Sequence, residues 1–430
     1  MPKQLQIKIW KTSSLPANWF KRTILPDEKK VKTIIDEVKA RGDAALIDFT
    51  QKFDKITLDA KSLRVTAGEI KEAYDAVNEE QIAAIKFMKE KIETIEKCTL
   101  AQMKIEVKKN GVRVQSVSRP IQSVGCYVPG GKAAYPSTLV MTVVPAELAR
   151  VPRIVVCSPP TVKGTISPLI LVAADICNVN EVYKVGGVQA IAALAYGTES
   201  IKPVRKIVGP GNRYVTMAKI LVSKEVSIDM PAGPSEILIL ADETASPRLV
   251  ALDMISQAEH GIDSVAGLIT TSKDLAERVL LELEKIVVSI DRNAIVKEAL
   301  SKYGFIIICE KIKEMTELAN IFAPEHVEIM TRAPMEVADK ILSAGLILVG
   351  HYSPVCLSDY GSGTNHVLPT SGSGHVFSGL SVLDFVRRVG IVEGSREGLI
   401  ELKDHVKVLA EAENLPNHYK AIEGRFEYES

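Results

Sequence analysis

The chain has 430 residues, 46% hydrophobic and 25% charged, the balance of a soluble globular protein long enough to bury a core without disulfides or structural metal. Lysine plus arginine and aspartate plus glutamate number 53 each, so the net charge is zero, which argues against nucleic-acid binding through a broad basic surface. No run approaches ~18 consecutive apolar residues, and Met1-Pro2-Lys3-Gln4-Leu5-Gln6 lacks the apolar core of a secretory signal, so neither a membrane span nor export is expected.

In chain order, Asp27 is suited to cap a helix in which Val31, Ile34, Ile35 and Val38 form one apolar face, with Gly42 closing it. A longer helix is predicted from about Glu69, with Ile82, Ile85, Ile92 and Ile95 on one face. Val112 to Val117 largely alternates apolar and polar residues, the period of a strand. From 121 to 240, short apolar runs end at glycine-rich turns and lead into helical patterns, which predicts a parallel sheet with crossover helices. Glu236–Leu240 and Phe305–Ile308 read as buried strands of a second α/β unit, assembled from segments on either side of that block. Charged helices from Ser395 form a tail that Asn414 and Pro416 interrupt.

Chemistry can sit first at three glycine turns: Pro129-Gly130-Gly131, Gly186-Gly187 and Gly209-Pro210-Gly211-Asn212. In a doubly wound sheet, ligands bind beyond the carboxyl ends of the strands, where helix N-termini suit phosphate. None of the turns has the G-x-G-x-x-G spacing, and each has an ordinary structural explanation. Asp253, Gln257 and His260 share one helix face and are candidate metal ligands, although a solvated polar face accounts for the same spacing; spacing does not choose between Asp253 and Gln257. Glu325 and His326 offer two adjacent bases of different pKa, or the charges of an ordinary helix end. The loop Ser358 to His366 carries Asp359 among glycine, serine and asparagine that turn chemistry alone explains. His351, His375 and His405 have no constellation around them. The six cysteines show no C-x-x-C spacing and are expected as reduced thiols in a cytoplasm. Cys126, in the first glycine turn, is either a small buried hydrophobe or the nucleophile of a thiol-dependent aldehyde dehydrogenase. A nucleotide-binding regulatory protein is the non-enzymatic alternative.

Several stretches occur together and in order: Val124-Gly125-Cys126-Tyr127-Val128-Pro129-Gly130-Gly131, Gly186-Gly187-Val188-Gln189-Ala190, Gly209-Pro210-Gly211-Asn212, Pro231-Ala232-Gly233-Pro234-Ser235-Glu236, Ser256-Gln257-Ala258-Glu259-His260, Ala323-Pro324-Glu325-His326 and Gly363-Thr364-Asn365-His366-Val367-Leu368-Pro369-Thr370. In these the chain resembles the histidinol dehydrogenase family along essentially its whole length. The resemblance implies a zinc- and NAD-dependent enzyme that converts L-histidinol to L-histidine, the last steps of histidine biosynthesis. It implies Gln257, His260, Asp359 and His418 as zinc ligands, and so Gln257 rather than Asp253. Glu325 and His326 match the catalytic pair, and Tyr127, Gln189 and Asn212 the NAD contacts. Ser235 and Glu413 match substrate-binding positions, together with Gln257, His260, His326, Asp359 and His418. No thiol is required at Cys126. The implied fold is two incomplete Rossmann-like domains with small helical terminal segments, an aldehyde dehydrogenase-like architecture in a homodimer. On that reading residues 1–23 form an N-terminal arm, 24–126 with 237–380 one domain, 127–236 the NAD domain, and 381–430 a tail that crosses to the partner's site.

Overall fold

The computed structural model describes residues 5–20, 26–130 and 134–427; Gly131 and the expected boundary between residues 23 and 24 lie outside the described residues. The first predicted helix forms over Glu28–Arg41. The Asp27 carboxylate accepts the Lys29 N–H, and Gly42, at φ 53°, ends the helix by donating to the Val38 carbonyl. The single helix expected from Glu69 is two, Ala67–Asp75 and Glu79–Ala101, because Asn78 accepts the Gln81 N–H and starts the second. Ile85 and Ile92 are buried on its inner face, whereas Ile95 is exposed.

A five-stranded parallel sheet has the spatial order Glu181–Tyr183, Ile154–Cys157, Val124–Tyr127, Lys206–Val208, Ser227–Ile228. The chain starts at the central strand, builds outward on one side and returns to the other, which makes the end of Val124–Tyr127 a topological switch point. One face buries Val31, Val38 and Leu46 against Val155, Ile191 and Val215; the other buries Ile85 and Ile92 against Val124, Leu139 and Val156. Residues 28–101 therefore belong with this sheet, and not with 237–380 as expected, because their apolar faces are spent here.

The second sheet has six parallel strands in the order Lys8–Lys11, Phe305–Ile308, Val265–Thr270, Glu236–Ala241, His326–Met330, Leu346–Val349. Its central strands are apolar on both faces because helices cover both. The N-terminal arm is not separate from it: Lys8–Lys11 is an edge strand, and Trp19 stacks on Phe322 with ring centroids 5.4 Å apart. Segment 229–235 leads from the carboxyl end of Ser227–Ile228 directly into the amino end of Glu236–Ala241.

After the second sheet the chain returns to the first, burying Val367, Leu380, Val382 and Phe385 in its core, where the Glu96 carboxylate accepts the Val382 N–H at 2.7 Å. Val386–Gly394 then pairs antiparallel with Val112–Pro120, and this with Ile105–Lys109. The terminal segment is thus a long strand followed by helices Arg396–Ala412 and Asn417–Glu427, rather than helix alone, with Asn414 at φ 57° in the break. No described helix is long and apolar enough to cross a membrane.

Phe385 is the last core anchor before the chain leaves for the three-stranded sheet. Phe385→Ala is expected to cost about 3–5 kcal/mol, read as a lower urea midpoint, whereas Val392→Thr on the exposed strand should change stability by less than about 0.5 kcal/mol.

Candidate active site

Two neighbouring strands of the six-stranded sheet begin side by side, with His326 in register with Ile237. The backbone of Glu236 holds both members of the Glu–His pair. Its N–H donates to Glu325 Oε2 at 2.8 Å, and its carbonyl lies 3.2 Å from His326 Nδ1. A carbonyl only accepts, so Nδ1 carries the proton and Nε2 presents a lone pair. Nε2 is buried and has no hydrogen-bond partner among the described residues. Burial holds the imidazole neutral, with its pKa pushed down to about 3, and raises that of the Glu325 carboxyl well above the ordinary range. Glu325 Oε2 is 3.7 Å from Nδ1, close enough to balance a proton arriving on the ring.

Val327 and Ile329 point to one face of the sheet, so His326 and Glu328 point to the other, which helix Pro247–Ala258 covers. Asp253 on that helix interacts electrostatically with the fully buried Glu328 carboxyl, whose two oxygens have no hydrogen-bond partner among the described residues. Burial raises the pKa of both carboxyls, and the nearby Asp253 charge raises that of Glu328 further. Asp253 is thus engaged below the site. Gln257, one turn further on, is buried with Oε1 unpartnered. This distinction between Asp253 and Gln257 was not available from their spacing.

His260 follows the helix, exposed, with Nδ1 3.5 Å from Ser235 Oγ. Helix Val355–Tyr360 packs against Pro247–Ala258 and brings in Asp359. The Asp359 carboxyl, pushed up to about 7 by burial, lies 3.7 Å from His366 Nδ1. His366 had no assigned role in the sequence, although it lies in the same loop as Asp359. Its Nε2 is 3.5 Å from Thr138 Oγ1, on a helix of the other sheet's unit, and burial lowers its pKa to about 4. His326 and His366 interact electrostatically, as do His366 and His260, and Glu325 and Asp359. The catalytic pair, Ser235, His260, Asp359 and His366 are thus linked in one constellation, with Gln257 near the end of the covering helix. The constellation sits at the amino ends of Glu236–Ala241 and His326–Met330, not at carboxyl ends as doubly wound sheets lead one to expect.

The expected nucleotide contacts gather at the carboxyl edge of the five-stranded sheet. Tyr127 ends the central strand, and its buried hydroxyl accepts the Gly187 N–H at 3.1 Å. Gln189 is buried on the following helix with Oε1 unpartnered. Asn212 caps helix Arg213–Val222, its Oδ1 accepting the Tyr214 and Val215 N–H groups at 2.9 and 3.3 Å. Cys126 lies in the core beside the Thr142 carbonyl, and burial pushes its thiol up to about 12, which removes the thiolate nucleophile.

Glu413 and His418 stay apart. Both are exposed on the tail, and among the described residues neither side chain has a hydrogen bond or ion pair. Among the described residues, no three His, Cys, Asp or Glu side chains gather as a metal-holding group. Gln257 offers an amide oxygen with no partner among the described residues, His260 an imidazole and Asp359 a carboxylate. These donor types suit zinc, and the set is one ligand short of four.

The family profile for histidinol dehydrogenase matches residues 22–426. The histidinol dehydrogenase of Clostridium acetobutylicum is 47% identical over 398 residues, covering 93% of this chain and 92% of its own length. That of Methanothermobacter thermautotrophicus is 45% identical over 395 residues, 92% of each chain. The crystal structure of histidinol dehydrogenase from Elizabethkingia anophelis aligns with a TM-score of 0.91 at 36% identity, over 99% of this chain and 98% of that one. With a match this long, and a fold shared from end to end, the chain belongs to the histidinol dehydrogenase family of oxidoreductases.

Proposed function

We propose that the protein oxidises L-histidinol to L-histidine through a bound L-histidinal, using two NAD and one zinc per subunit, in a homodimer with shared active sites. The observation that carries this reading is the His326 ring: Nδ1 is committed to the Glu236 carbonyl, while a neutral Nε2 is buried and unpartnered. Gln257, His260 and Asp359, with His418 of the partner subunit, would hold zinc, which supplies a template for the substrate amine and imidazole. Ser235, and Glu413 of the partner subunit, would complete the substrate contacts. Tyr127, Gln189 and Asn212 would place NAD to accept hydride.

In the first oxidation, His326 Nε2 takes the hydroxyl proton as hydride leaves the carbon, which NAD held at Tyr127, Gln189 and Asn212 would accept. The resulting imidazolium, its Nδ1 3.7 Å from Glu325 Oε2, favours the ionised form of that carboxyl, whose proton passes to solvent, and the two charges balance. Glu325 then takes a proton from water as its oxygen attacks the aldehyde carbon, giving the hydrate. A carboxyl whose pKa is raised by burial is a stronger base than an ordinary one. His326, having passed its first proton to solvent, accepts the hydrate's hydroxyl proton in the second oxidation, and the acid is released.

The direct test is NADH formed per L-histidinol consumed, with and without a chelator. Two NADH per substrate, lost on metal removal, are expected; one would leave only an alcohol dehydrogenase. Glu325→Gln keeps the size and removes the base, so oxidation of supplied L-histidinal should fall by about 10²–10⁴ while alcohol oxidation falls less. Equal losses in both half-reactions would rule out the water-activating role. Crossed tails are tested by co-refolding inactive His326→Ala with inactive His418→Ala chains. Random pairing makes about half the dimers heterodimers, each with one intact site of two, so activity should return to about 25% of wild type. No recovery with heterodimers confirmed by mass would place His418 in its own subunit's site.

A further inference from the structure

Beneath the turn Gly209-Pro210-Gly211-Asn212 lies a buried ion pair that the chemistry above does not use. Lys219 and Asp229 form it with side chains only 2% and 1% exposed. The pair grips both backbone groups of a single residue. Gly209 donates its N–H to Asp229 Oδ2 at 2.8 Å, and its carbonyl accepts from Lys219 Nζ at 2.9 Å. The other aspartate oxygen accepts the Met230 N–H at 2.7 Å. Gly209 has φ 114°, and a Cβ on it would fall 2.1 Å from the Tyr127 carbonyl oxygen, so its backbone is pressed against Tyr127. Tyr127 in turn accepts the Gly187 N–H. Lys219, Asp229, Gly209, Tyr127 and Gly187 are thus linked in one chain of contacts across the carboxyl edge of the sheet.

We infer that Lys219 and Asp229 are positioning residues for the dinucleotide: the pair fixes the Gly209 turn and, through it, Tyr127 and the Gly187 turn. The inference rests on NAD binding at this edge. A buried pair adds little net stability over apolar residues of similar volume, but it directs two hydrogen bonds at the backbone of one residue, which apolar residues cannot do. Removing one partner strands a buried charge; removing both does not.

The test compares wild type, Lys219→Met and the double variant Lys219→Met/Asp229→Asn. Each is measured for thermal midpoint, for KM of NAD and of L-histidinol, and for NAD binding by calorimetry. Lys219→Met should lower the midpoint and raise the KM for NAD about ten-fold, with the KM for L-histidinol changed less than about two-fold. The double variant should recover most of the midpoint, because no lone charge remains, yet keep the weakened NAD binding, because the Gly209 carbonyl is still released. NAD affinity that recovers along with stability, or a folded double variant with wild-type KM for NAD, overturns the inference and leaves NAD use by the enzyme standing. Wild-type protein that neither binds nor reduces NAD overturns both.

Discussion

The pair of backbone hydrogen bonds at Glu236 is the interaction on which the site depends. One residue at the start of a strand gives its N–H to Glu325 and its carbonyl to His326. The carboxyl is thereby placed, and the imidazole tautomer is set so that Nε2 carries the free lone pair. Both groups are buried, so neither is charged without compensation from the other. Parallel pairing between Glu236–Ala241 and His326–Met330 fixes the geometry, because each residue of one strand is in register with a residue of the other.

The location of the site at the amino ends of those strands follows from how the sheets are joined. Segment 229–235 leaves the carboxyl edge of the five-stranded sheet and enters the amino edge of the six-stranded one. The glycine turns of the first sheet and the catalytic pair of the second are therefore connected over a short stretch of chain. The returning segment 363–385 adds a second tie, with His366 reaching Thr138 across the two units. The helix that covers the catalytic face, Pro247–Ala258, carries Gln257 in its last turn and Asp253 one turn earlier.

Local signals in the sequence were strong where a single segment decides its own structure. The cap at Asp27, the glycine stop at Gly42, the strands Glu236–Ala241 and Phe305–Ile308, and the break at Asn414 all follow from residue type and short spacing. The ordered motifs also identified the family, because a set of short stretches in fixed order is far more specific than any one of them. Other features depend on partners distant in the chain. Lys8–Lys11 is a strand because Phe305–Ile308 offers it an open edge, and residues 28–101 lie on the five-stranded sheet because that sheet has the uncovered apolar faces.

By itself the sequence determined the α/β class, the glycine-turn block, the family, and the residue types available to the site. Those properties are set by local periodicity, by the backbone needs of glycine and proline, and by motif order. Only the tertiary structure decided which groups meet: that Asp253 lies near the buried Glu328 carboxyl while Gln257 Oε1 has no partner among the described residues, that His366 faces Asp359, and that Cys126 is an inert core thiol. The physical reason is that burial and partnership are properties of packed neighbours. A side chain's protonation and orientation are fixed by groups tens or hundreds of residues away, and no spacing along the chain encodes them.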